Sequence, residues 1–204
     1  MFEGKPTQTR IEDAAQPTTL EALWESMSGC RHCGLAEGRK NIVFGDGPPR
    51  ARLMFIGEGP GRDEDLQGRP FVGAAGQLLD KIIAAGGWTR EEVYIANIVK
   101  CRPPGNRIPN RDEAEACMPW LRRQIQLIAP RLIVLLGATA LQFTIDPKAR
   151  ITACRGQWIQ RGRIKIMPTF HPAALLRDPS KKRPVWEDIQ LVRDEYQRLV
   201  EGEE

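Results

Sequence analysis

Short apolar runs alternate with amphipathic helical patterns along this chain, and that rhythm constrains it most, because it suits a parallel sheet crossed over by helices. Leu53–Ile56, Val93–Ala96, Leu132–Leu136 and Ile164–Met167 read as strands apolar on both faces. Between and after them, Leu78, Leu79, Ile82 and Ile83 share a helical face, a helix runs through Trp120 to Ile128, and another lies near Trp186–Leu199. Thr18-Thr19 caps a short helix from Leu20 to Met27. The pattern predicts a three-layer α/β/α fold around a central, mostly parallel four-stranded sheet. A chain of 204 residues suits one domain, expected over 19–204 after a flexible lead-in at 1–18. Arg177–Pro184 reads as an exposed basic loop, and there is no internal repeat.

Sheets of this kind hold their sites at the carboxyl ends of the strands. Gly57-Glu58-Gly59-Pro60-Gly61, Asn97 and Phe170-His171-Pro172 each follow a predicted strand, so three chemically suggestive segments should meet on one rim. With 41% hydrophobic and 27% charged residues, the composition excludes collagen-like and strongly disordered classes. A net charge of +4 has the right sign for a polyanionic partner but is too small to demonstrate one. No apolar run approaches the ~18 residues of a membrane span, and Met1-Phe2-Glu3-Gly4-Lys5 lacks a signal peptide's hydrophobic segment. The expectation is a cytoplasmic monomer that binds no membrane.

Five cysteines, an odd number, argue against a disulfide framework and for metal or cluster ligation. Cys30 and Cys33 form a C-x2-C pair, and Cys101 and Cys117 follow with fifteen residues between them. Four thiolates are the ligand set of both zinc and [4Fe–4S] sites, and spacing does not choose between them. Separate buried thiols are the plainer reading. Cys154, isolated in Thr152-Ala153-Cys154-Arg155-Gly156, reads as a small buried residue outside the set.

Three segments together resemble a known family. These are Gly57–Gly61 with Glu64-Asp65 and Gly68-Arg69-Pro70-Phe71-Val72-Gly73, then Asn97-Ile98-Val99-Lys100-Cys101-Arg102-Pro103-Pro104, then His171-Pro172-Ala173-Ala174-Leu175-Leu176-Arg177. In this order, and with all four cysteines at the family's ligand positions, the chain resembles the family-four uracil-DNA glycosylases from about Cys30 to Leu199. The resemblance implies a [4Fe–4S] cluster on Cys30, Cys33, Cys101 and Cys117. It also implies hydrolytic excision of uracil from single- or double-stranded DNA, without lyase activity. Relatives that bond covalently to abasic DNA carry a basic insertion ending in histidine after the segment equivalent to Asn97–Lys100. Here residues 101–110 contain no histidine, and Gly59 stands where those relatives have glutamine.

The resemblance also implies roles. An enzyme acting on a stacked uracil must evert the nucleotide, recover the unstacking energy in its pocket, and set dipoles against charge that develops as the bond breaks. His171 would stabilise the uracil O2 oxyanion, Asn97 would read O4 and N3–H, and Phe71 would stack on the base. Gly57, Gly59 and Gly61 would let main-chain N–H groups approach, with Glu58 placed against a thymine methyl. Glu64, with Asp65 as rival, would activate water. Leu175, Leu176 and Arg177 would wedge the duplex and hold phosphate, and Arg155 is a further candidate for DNA contact. Each has a plainer reading: strand-end cap for Asn97, turn cap for His171, core packing for Phe71 and the leucines, solvated surface for the carboxylates. The competing class is a non-catalytic iron–sulfur or zinc protein that binds nucleic acid. It leaves Asn97, Phe71 and His171 unexplained, and the glycine loop lacks the Gly-Lys-Ser/Thr of a phosphate-binding loop.

Overall fold

The structure is a computed structural model, and it describes residues 17–202. The expected lead-in therefore lies, apart from Pro17 and Thr18, outside the described residues. The chain begins with α1 (Leu20–Met27), whose Thr19 side chain caps it by accepting from the Ala22 N–H, and a single turn, α2 (Leu35–Gly38). Then come β1 (Leu53–Gly57), α3 (Arg62–Gln67), α4 (Ala74–Ala85), β2 (Tyr94–Asn97) and α5 (Arg111–Ile128). The second half contains β3 (Leu132–Leu136), α6 (Gly137–Thr144), α7 (Ile151–Cys154), β4 (Ile159–Arg161), β5 (Ile164–Thr169), α8 (Pro172–Arg177) and α9 (Lys182–Glu201).

The strands form one sheet in the order β2-β1-β3-β5-β4, parallel except for β4. The expected strand count of four is corrected to five. β4 escaped detection because its three residues lie partly or fully exposed at the sheet edge and offer no apolar run. Alternation along each inner strand splits the core into two halves. Met54, Ile56, Ile133 and Leu135 meet α1, α5 and α6 on one face, whereas Leu53, Phe55, Leu132 and Val134 meet α4, α8 and α9 on the other. Burial on both faces is why these strands read as continuous apolar runs.

The predicted loop over 177–184 is also corrected. Its centre is a 3-10 turn, Pro179–Lys181, and α9 has begun by Lys182, with Pro184 in the first turn where its missing N–H costs nothing. Among the described residues no helix is long and apolar enough to cross a membrane.

Strand register positions the site. Gly57 lies opposite Asn97, and Leu136 opposite Thr169, so four parallel strands end level with one another. The loops that leave those ends enclose one cleft.

Candidate active site

The cleft has a volume of about 680 Å³, within the range of small-molecule sites, and Glu58, Phe71, Asn97, Gly137, His171 and Arg177 are among the residues that line it. Its floor is Phe71, whose ring lies 5.5 Å from the His171 ring at an interplanar angle of 30°. Phe71 occupies the left-handed region, φ 53°, where a bulky residue persists only if its surroundings hold it. Arg90 supplies that hold, donating to the Phe71 carbonyl at 3.1 Å and the Pro70 carbonyl at 2.5 Å while pairing with Asp80 at 2.7 Å. Gly76 permits it as well, since a Cβ there would lie 1.9 Å from the Phe71 carbonyl oxygen.

Asn97 is buried to 2% exposure at the end of β2, and its Oδ1 has no hydrogen-bond partner among the described residues. An orphaned buried acceptor costs about 1–3 kcal/mol unless a ligand satisfies it. Gly57 shapes the recess beside it: a Cβ there would lie 2.5 Å from Phe71 Cζ and 2.6 Å from Asn97 Oδ1.

His171 caps α8 through its side chain, with Nδ1 accepting from the Ala173 N–H at 3.1 Å. That bond requires an unprotonated Nδ1, so the neutral ring carries its proton on Nε2. Burial, reinforced by the Arg177 charge, pushes the imidazole down to about 4 against the opposing pull of Glu64. Near neutral pH the residue is thus an uncharged hydrogen-bond donor at the cleft wall.

The structure divides the other predicted residues. Glu64 lines the cleft, but its carboxylate also ties loops together, accepting from Gly61 N at 3.0 Å, Val72 N at 2.9 Å and Gly73 N at 2.8 Å. Gly59 and Gly61 line the cleft too, where Cβ atoms would press on Val99 and Glu64. Glu58 accepts from the Thr139 hydroxyl at 2.5 Å. Asp65 takes no part in the cleft lining. It is buried, and its Oδ1 accepts from Lys40 N at 2.9 Å and Asn41 N at 3.3 Å, anchoring the neighbouring segment. Leu175 is a core residue at 2% exposure, whereas Leu176 is 51% exposed and Arg177 reaches the cleft. Arg155 is committed internally: its guanidinium meets Asp188 at 2.6 and 3.1 Å and the Pro184 carbonyl at 2.5 Å, fastening α9 to the end of α7. A guanidinium engaged in this way has few donors left for phosphate.

Sequence reasoning missed Gly137 and Thr139 at the end of β3, although the strand-end rule that selected Asn97 applied there equally. Gly137 sits at φ 92°, and a Cβ on it would come 2.9 Å from His171 Cβ. It missed Arg90 and Gly76 because their roles arise from three-dimensional packing.

Away from this cleft, Cys30, Cys33, Cys101 and Cys117 line one small cavity, while Cys154 lies elsewhere. All five are free thiols. Burial pushes Cys33 and Cys101 up and Cys117 to about 12, so these thiols would ligate by exchanging their protons for a cationic centre. Donors already face the sulfurs. Arg39 Nη1 is 3.4 Å from Cys101 Sγ and 2.7 Å from the Cys30 carbonyl, and Lys100 N is 3.3 Å from Cys117 Sγ. The Trp120 indole N–H, at the same cavity, is buried without a partner among the described residues. The described residues contain no set of three or more His, Cys, Asp or Glu side chains arranged to hold a single metal ion.

A parallel α/β sheet whose strand ends gather a carboxamide, an imidazole and an aromatic ring around a recess defines a nucleobase-binding α/β protein. The sequence profile described as "Uracil DNA glycosylase superfamily" matches residues 44–190. A type-4 uracil-DNA glycosylase of Thermotoga maritima is 48% identical over 180 residues, covering 85% of this chain and 93% of the relative. One from Archaeoglobus fulgidus is 40% identical over 85% of this chain and 92% of its own length. A type-5 enzyme of Pyrobaculum aerophilum is 30% identical over 68% and 67%. The chain belongs to the uracil-DNA glycosylase superfamily, in its type-4 branch.

Proposed function

We propose that this chain excises uracil from DNA by hydrolysing the N-glycosidic bond, leaving an abasic site without cutting the strand. The observation that carries this reading is the buried, unpartnered Asn97 Oδ1 beside the Phe71–His171 pair. A uracil seated on Phe71 gives that oxygen its missing donor, N3–H, while the Asn97 amide N–H donates to O4. Cytosine has an unprotonated N3 and an amino group at C4, so the same amide meets it with both polarities wrong.

Once the nucleotide is everted, the C1′–N1 bond breaks with its electron pair leaving on the base. Negative charge collects on O2 and positive charge on the sugar. His171 Nε2–H donates to O2, a neutral donor that needs no proton transfer to act. Glu64, at the cleft, would set its negative charge against the sugar cation and orient the water that adds to C1′, whose proton passes to the departing uracil or to solvent. Lys181, at the cleft, is paired with Asp178; an ammonium held in this way is a poor nucleophile for lyase chemistry.

The four cavity cysteines fit a [4Fe–4S] cluster. The thiols of Cys33, Cys101 and Cys117, held neutral by burial, would become ligands by giving up their protons to a cationic centre, and the Arg39, Lys100 and Trp120 donors suit sulfur acceptors. When bound, the cluster would supply a rigid cross-link, since the hydrolysis moves no net electron. Five unpaired thiols accord with action in a reducing compartment.

The test is incubation with a uracil-containing oligonucleotide followed by alkali. A break at the uracil, absent with the matching thymine or cytosine oligonucleotide, is expected. An intact strand would refute the proposal.

A further inference from the structure

The lip of the cleft carries an apolar side chain that neither the core nor the base recess uses. Ile108 lines the mouth with Pro103, Asn106 and Arg107, and at 65% it is the most exposed large apolar side chain among the described residues. Single exposed aliphatics are common. This one sits on a braced turn. Gly105 and Asn106 are both left-handed, at φ 62° and 55°. Arg107 binds the Glu113 carboxylate at 2.6 and 2.8 Å and also donates to the Ile108 carbonyl at 3.1 Å. Glu113 in turn accepts from Asn110 N at 2.8 Å at the start of α5. Pro109 restricts the backbone of the residue before it. The two ends of this segment, Cys101 and Cys117, are buried. The cost of ordering Ile108 is thus met before any partner arrives. A second element at the same cleft, α8, presents exposed Leu176 beside Arg177.

We propose that Ile108 is a second wedge, entering the base stack of duplex DNA beside the everted nucleotide from a loop separate from that of Leu176. The inference rests on the glycosylase reading above. An aliphatic side chain inserted between base steps holds a kinked, unstacked duplex open, and two such points, on independently braced elements, hold it better than one. A single strand has little stacking to hold apart, so the contribution belongs to the duplex.

The experiment compares single-turnover excision of uracil from a U·A duplex and from the same strand unpaired. Ile108→Ala lowers the ratio of duplex to single-strand rates about tenfold, the loss expected for one buried aliphatic side chain, whereas Ile108→Leu keeps the ratio within about twofold. A 2-aminopurine beside the uracil brightens less on binding Ile108→Ala than on binding the unchanged protein. An unchanged ratio in Ile108→Ala, or equal losses on both substrates, overturns the wedge and leaves the residue a loop brace. Absence of excision from either substrate by the unchanged protein overturns the glycosylase reading itself.

Discussion

Asn97 and His171 act through ordinary amide and imidazole chemistry made selective by their surroundings. On this reading, removal of the Asn97 carboxamide deletes two contacts to one edge of the base. We therefore expect Asn97→Ala to reduce single-turnover excision roughly 10²–10³-fold, the scale seen when one preorganised donor is lost, with the melting temperature and visible absorbance retained. Loss of colour together with activity would make Asn97 a structural residue. His171 gives a pH signature. An unfolded histidine takes up its proton near 6.5 and this folded one only near 4. Between these values the unfolded chain binds the extra proton, so the contribution to stability is complete above pH 6.5 and shrinks as pH falls towards 4. Melting curves across that window should decline more steeply for the unchanged protein than for His171→Gln, and a parallel decline would contradict the part-buried neutral ring. Their positions after predicted strands brought these two forward, and the family resemblance, not residue type alone, gave them their expected roles. Neither was enough to separate Glu64 from Asp65, because which neighbouring carboxylate on α3 meets the cleft depends on where main-chain N–H groups from residues 40–41, 61 and 72–73 converge.

At the scale of elements, the end of β1 is the point of least tolerance. Register sets Gly57 against Asn97, and the Phe71 ring closes over the same spot. Gly57→Ala must displace a ring or an amide, and we expect excision to fall roughly 10²-fold or more, as a misplacement of about 1 Å does elsewhere. Excision within about threefold of the unchanged protein would show that the recess yields. Periodicity identified the strands and long helices because core burial imposes it. It failed at β4, which is exposed, and at the start of α9, where a Pro- and Lys-rich segment suggests a loop but suits a helix's first turn. The ion pair of Arg155 with the buried Asp188 was likewise invisible in the sequence, because the two lie 33 residues apart and meet only in the folded chain.

Across the whole molecule, the cavity lined by Cys30, Cys33, Cys101 and Cys117 lies between the N-terminal helical segment and both ends of the stretch between Cys101 and Cys117, which a cluster held there would join. We expect Cys101→Ala to lose iron and brown colour and to melt at lower temperature, and unaltered iron content and folding would dismiss the four-ligand arrangement. The base recess, in contrast, is finished without any partner, since Arg90 and Gly76 fix the Phe71 backbone in place. A mould that is ready before its casting arrives is equally ready once the casting has come free. The severed base, still matched to the shelf and amide that selected it, should linger. Free uracil added at millimolar levels would then compete with substrate and slow turnover, whereas added thymine, with its extra methyl, should do so far less.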